Sequence, residues 1–250
     1  MALRRLRACV RRHRATSSFA GALFAAAPVF APSPATAQAS GAISIFTDDR
    51  YRGASLSDGR PVAILDFAYD APSGFYGALT GKAAATRDEG LRPLGLIVNA
   101  GYARRLRSGV SLDAGVVHST YSGYATRGPS RSFTEVYAGI TGKLLSARVY
   151  VSPNYVRRDV SSVYGELDSS VPVTGKLSLT GHVGLLIPLR AANYPPGWFS
   201  RDFDWRLGVV RQFGRLSVQA AWTGVRPGRH IYPNADRSRT ALILGLTAAF

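Results

Sequence analysis

Cysteine and methionine each occur once, at Cys9 and Met1. Both lie at the extreme N-terminus, so the body of the chain has no disulfide framework, no metal thiolates and no thiol nucleophile. Histidine is scarce as well. The four residues, three of them His118, His182 and His230, show no metal-ligand spacing, and neither a metal nor a cofactor is expected. No run of 18 clean apolar residues occurs beyond the N-terminal region, and no amphipathic helical stretch of useful length is found. That excludes helical membrane spans but not membrane strands, whose hydrophobicity is diluted by alternation. Acids are few, 15 against 31 Lys and Arg, giving a net charge of +16. Nucleic acid is the usual partner of such a charge. No nucleic-acid motif is present, and the N-terminus argues against that partner.

Residues 1–39 read as a cleaved signal peptide, leaving 40–250 as one domain. Arg4, Arg5, Arg7, Arg11, Arg12 and Arg14 form a basic start without acids. An apolar stretch follows from Ser18 to Ala31, and Ala37-Gln38-Ala39 fits a small-x-small cleavage site. An Arg-rich organellar transit peptide is the rival reading; the general secretory route fits the pattern better. With the leader removed, 25 basic residues face 15 acids, or +10, and the excess is nearly all arginine. In an exported chain the phosphate groups of an outer leaflet are the matching acidic partner.

The last eleven residues alternate. Phe250, Ala248, Leu246, Leu244 and Leu242 share one face, and the other is small or mildly polar apart from Ile243. A period of two is a strand signal, and a tilted strand needs roughly 9–11 residues to cross a bilayer. Twelve such runs are predicted, at 42–49, 61–70, 74–82, 93–104, 110–121, 132–142, 145–154, 161–171, 176–187, 203–212, 215–225 and 239–250. The connections alternate between long and short without a break. Short periplasmic turns with longer extracellular loops are what a transmembrane barrel requires, and a soluble sandwich has no reason to show them. Aromatics collect toward run ends, as in Phe67 and Tyr69, Phe203 and Trp205, and Phe250, which matches interfacial girdles. The fold expected is all-β: a closed antiparallel up-and-down transmembrane β-barrel of about twelve strands.

The first connection reads Thr47-Asp48-Asp49-Arg50-Tyr51-Arg52-Gly53-Ala54-Ser55-Leu56-Ser57-Asp58-Gly59-Arg60-Pro61. It resembles the opening of the TorF-type porins (the Gcw_chp family), whose first hairpin carries a D-Y-x-x-R-G-x-S-x-S-D-G-x-P core. Matching blocks follow in order at Phe133 to Gly139 and at Asp204 to Gly208. The resemblance marks Asp48, Arg52, Gly53, Ser55, Ser57, Asp58, Gly59 and Pro61 as the first-loop motif, and Leu244, Leu246 and Phe250 as a C-terminal assembly signal. It implies an exported outer-membrane barrel of porin type, inserted by the barrel-assembly machinery. Pro195-Pro196-Gly197-Trp198 and the arginines near Arg226 to Arg239 depart from the pattern, so no solute preference is carried over. On physical grounds Gly53 and Gly59 permit positive φ in a tight extracellular connection, and the aspartates can cap turn amides or pair with nearby arginines.

Enzymatic chemistry finds little support. His118 and Ser119 are adjacent and so lie on opposite faces of a strand. No acid completes a triad around His182. The inward faces instead collect Asp66, Asp113, Glu135, Arg148, Glu166, Asp168, His182, Asp204 and Arg206, the expected pore lining. Two readings stay open. The charges form a wet transverse ladder in a narrow passive channel for small hydrophilic solutes, or they pair off and plug a structural, adhesin-like barrel that acts through loops such as Asn193 to Ser200. Twelve strands lie between filled eight-strand and open sixteen-strand barrels, so size does not choose. The partners expected are outer-membrane lipids and lipopolysaccharide, the assembly machinery and small solutes, with a monomeric barrel and no nucleic acid.

Overall fold

Alternation runs through the whole chain, and a period of two can bury only one face of a sheet. The computed structural model describes residues 38–86, 90–126, 129–191, 193–195, 198–226 and 240–250. Twelve long strands curl into one closed barrel: β1 (Gln38–Phe46), β4 (Val62–Asp70), β5 (Phe75–Thr86), β6 (Gly90–Arg105), β7 (Ser111–Tyr121), β8 (Arg131–Thr141), β9 (Leu145–Ser152), β10 (Val160–Pro172), β11 (Leu177–Ala191), β12 (Asp202–Phe213), β13 (Leu216–Arg226) and β14 (Thr240–Ala249). Each pairs antiparallel with its chain neighbours, and β1 closes the ring on β14. Two further two-residue strands, β2 (Arg50–Tyr51) and β3 (Ala54–Ser55), form a separate hairpin. One helical turn, α1 (Gly123–Thr126), follows β7.

The outward face is the greasy one. Ile43, Ile45, Leu65, Leu79, Val98, Leu207, Leu242, Leu244 and Leu246 are all exposed on it, and Leu242 is 65% accessible. So large an apolar belt is covered by lipid tails in a transmembrane barrel. Closure leaves no unpaired sheet edge inside the hydrocarbon. At the seam Phe46 pairs with Gly245 and Ala42 with Ala249. There Gly41 and Phe250 exchange backbone hydrogen bonds of 3.0 and 2.9 Å, and the Phe250 ring lies where a Gly41 Cβ would stand.

The strands outrun the expected runs in places. β5 continues to Thr86 and β6 begins at Gly90, so the second outer connection shrinks to 87–89 instead of spanning Ala83 to Arg92. Pro93 lies inside this longer strand, opposite Ala83, where the register shifts. A residue without an N–H is tolerated at such an irregularity. At the other end β1 begins at Gln38, which pairs with Asp70, two residues before the expected mature start. Residues 1–37 of the leader, Pro196 and Gly197, and His230 with Arg229, Arg237 and Arg239 lie outside the described residues.

The largest buried side chains are inside the ring. Tyr121, Phe133, Tyr137, Tyr150, Tyr155 and Tyr164 pack with Phe46, Ile64 and Leu186 around the short hairpin. The hydrophobic core of this molecule is thus in its lumen.

Candidate functional site

The first connection was expected to stand outside the barrel; the structure folds it into the lumen. Asp48, Arg50, Tyr51, Arg52, Gly53 and Ser57 are buried, and Asp49 has no accessible surface. The turn is tight because Arg52 (φ 48°) and Gly53 (φ 78°) are both left-handed, as are Asp58 and Gly59 further on. Asp48 ties the segment to itself. Its Oδ1 accepts from Ser55 Oγ (2.6 Å), Ser57 Oγ (2.7 Å) and the Gly59 amide (3.2 Å), while Arg50 Nε donates to its Oδ2 at 2.8 Å. Ser57 Oγ accepts the Asp49 amide in turn. The motif residues Asp48, Ser55 and Ser57 are therefore one knot. Asp58, Gly59 and Pro61 form its exposed end.

Three attachments fix the hairpin to the wall. Arg52 Nη2 donates to both Glu135 oxygens at 2.9 and 3.0 Å, and Tyr51 donates to Glu135 at 3.1 Å. The Arg52 guanidinium lies over Tyr164 (3.9 Å), with Tyr51, Tyr155 and Tyr150 rings at 4.8, 4.9 and 5.4 Å. Guanidinium stacking in a water-poor cage adds to the ion pair. Three strands along the ring, Lys82 Nζ of β5 reaches Asp49 at 3.0 Å, where the β5–β6 register shifts. At the tip, a Cβ on Gly53 would lie 2.7 Å from the Val225 Cβ and 2.9 Å from the Asp204 Cβ. Only glycine fits there.

Besides Glu135 on Arg52, five of the expected lining residues fall into two networks. Arg148 donates to Asp113 at 2.7 Å; Tyr76 also donates to Asp113, and Tyr137 joins Tyr76 to Asn99. In the second network His182 Nδ1 faces Asp168 at 2.7 Å and its Nε2 faces Asp204 at 3.0 Å, with the Tyr164 hydroxyl on Asp204. Both ring nitrogens of His182 thus stand within hydrogen-bond distance of a carboxylate. Glu166 accepts from Tyr150 at 3.0 Å and Asp66 from Thr80. Donor atoms of Glu166, Asp168 and His182 lie within 4.8 Å of one another, a grouping that linear spacing concealed. Both His182 nitrogens are engaged, however, and the group closes on itself through hydrogen bonds. Arg206 borders the chamber below the hairpin, with Arg52, Glu135 and Asp204. The space left there for water is about 60 Å³, enough for a few molecules.

Sequence reasoning missed Asp49, Tyr51 and Lys82 as anchors, and Tyr150, Tyr155 and Tyr164 as the cage. Tyr150 and Tyr164 stood on the inward parity of their strands. Two aromatics inside a barrel need something to pack on, and that was the available signal. His118 faces outward, bonded to Thr134 at 2.9 Å, on the opposite face to buried Ser119.

Solved structures of similar shape are outer-membrane proteins. The KdgM porin superposes with a TM-score of 0.53 at 13% identity, covering 84% of this chain and 99% of that one. The NanC porin gives 0.52 at 10%, with the same coverage. The COG4313 outer membrane channel from Pseudomonas putida F1 gives 0.52 at 13%, covering 87% of this chain and 96% of that one. At such identities the likeness is one of fold. No curated protein matches the chain in sequence. A family model described as "Bacterial protein of unknown function (Gcw_chp)" matches residues 30–246. Barrel, first-hairpin motif and family match agree over nearly the whole length, and the chain belongs to the Gcw_chp family.

Proposed function

We propose that this protein is an outer-membrane channel of porin type, passing small hydrophilic solutes down their own gradient. The observation that carries the reading is the division of surfaces. The outer face is apolar, while the inner face carries ion pairs around a hairpin folded across the passage. The hairpin sets the constriction, and Glu135, Arg148, Glu166, Asp204 and Arg206 line the path beside and below it. The barrel is a monomer exported by the 1–39 leader and inserted through its C-terminal strand, with Leu244, Leu246 and Phe250 as the signal. Its outer arginines meet lipopolysaccharide and lipid phosphates. No catalytic role is assigned to any residue.

A closed structural barrel is the second reading, favoured by the small space left beside the hairpin. Single-channel recording of purified, refolded protein in a planar bilayer separates the two. The channel reading expects discrete steps, and larger ones when residues 48–60 are replaced by a short turn. Steps that appear only after that replacement would mean the native hairpin is a plug. Silence from both proteins would leave the structural reading standing, with the 193–200 loop as its contact surface.

A further inference from the structure

A barrel in which 25 basic residues face 15 acids invites the expectation that its channel favours anions. The charge distribution says otherwise. The exposed arginines and lysines lie at the two rims: Arg104, Arg107 and Arg215 at the end carrying the short turns, Arg190, Arg201 and Arg226 at the other. The chamber beneath the hairpin is lined by both signs: Asp48, Glu135, Glu166 and Asp204 with Arg50, Arg52, Arg206 and His182 among them. Asp48 faces Arg50 at 2.8 Å and Glu135 faces Arg52 at 2.9 Å. Asp204 faces His182 Nε2 at 3.0 Å. Glu166 and Arg206 complete the lining charges, one of each sign. The rest of the chamber lining is uncharged, with Thr223, Gln219 and Ser119 beside an apolar patch of Ile243, Ile97 and Val117.

We infer that this chamber selects small polar solutes of no net charge over ions of either sign. The inference rests on the channel reading and names its solute class. An ion entering so narrow a space sheds hydration, which is costly unless opposite charge replaces the water. Pairs closed at 2.8 and 2.9 Å offer a dipolar field rather than a free charge of one sign. An uncharged polar solute sheds less. Its hydroxyl or amide groups meet the ion-paired, tyrosine-bearing lining, and its CH face meets the apolar patch. A zwitterion brings its own balanced pair. Both kinds share the deciding property, and the experiment separates them.

The test uses the full-length barrel reconstituted in neutral-lipid vesicles and bilayers. Under a potassium chloride gradient the reversal potential should lie near zero, with a cation-to-anion permeability ratio close to one. In osmotic swelling assays a polyol or a neutral amino acid should enter severalfold faster than a cation or anion of matched size; the faster of the two shows which source of neutrality is preferred. Arg206→Gln should tilt permeability severalfold toward cations and Asp168→Asn toward anions, since both leave the hairpin anchors in place. Strong selectivity of either sign in the unmodified barrel overturns the inference while leaving the channel reading intact, as does an absence of shift in both variants. Bilayers that show no conductance at all remove the channel reading itself, and this inference with it.

Discussion

Arg52 is the residue on which the lumen turns. It sits in a left-handed conformation at the tip of the hairpin, 7% exposed, with Glu135 as its acid and four tyrosines around it. Removing one partner of a buried pair strands the other charge, at a cost of about 3–5 kcal/mol. Glu135→Gln should therefore lower unfolding stability by that order in urea titrations of the lipid-embedded barrel; an unchanged midpoint would mean the guanidinium reaches water. Gly53 gives a sharper contrast. Both glycines have a positive φ, but an alanine at Gly53 also meets Val225 and Asp204, whereas one at Gly59 meets open space. The first variant should expose the hairpin to trypsin at Arg50 and Arg52, and the second should not. At this scale the sequence was half legible. The parity of each strand identified the inward Glu135, Arg148 and His182, because alternation is a local property. The direction of the hairpin was not legible, since a loop of aspartates, serines and arginines reads as solvated until the tyrosines that receive it are placed opposite.

Among the strands, β14 shows how an element is set by its pattern. Leu242, Leu244 and Leu246 face lipid while Ile243 and Thr247 are buried on the lumen side. Leu244→Arg should destabilise the barrel by about 2–4 kcal/mol, the cost of a cation near the bilayer midplane. An arginine at inward-facing Gln219, which borders the chamber, should cost much less. Equal folding yields for the two variants in lipid vesicles would contradict the facing assigned here. Strand number and order followed from the alternation of long and short connections. The lengths of β5 and β6 did not: the expected run began at Pro93, and only its partner's register shift shows how the ladder carries past a residue without an N–H.

As a whole the molecule inverts the arrangement of a water-soluble protein, with leucines and valines outside and acids, arginines and tyrosines within. Purified protein should stay dispersed only in detergent or lipid and precipitate when either is withdrawn, which light scattering would follow. A compact, freely soluble monomer would be incompatible with the belt described above.

The internal hairpin also has a mechanical effect. Its ties run to β5 through Asp49–Lys82, to β8 through Arg52–Glu135, and to the β12–β13 wall at Gly53. A hoop braced at three points from its axis resists becoming oval. Lateral pressure from a crowded bilayer therefore meets a strut, and the cross-section of the passage holds its shape without a neighbouring barrel to support it.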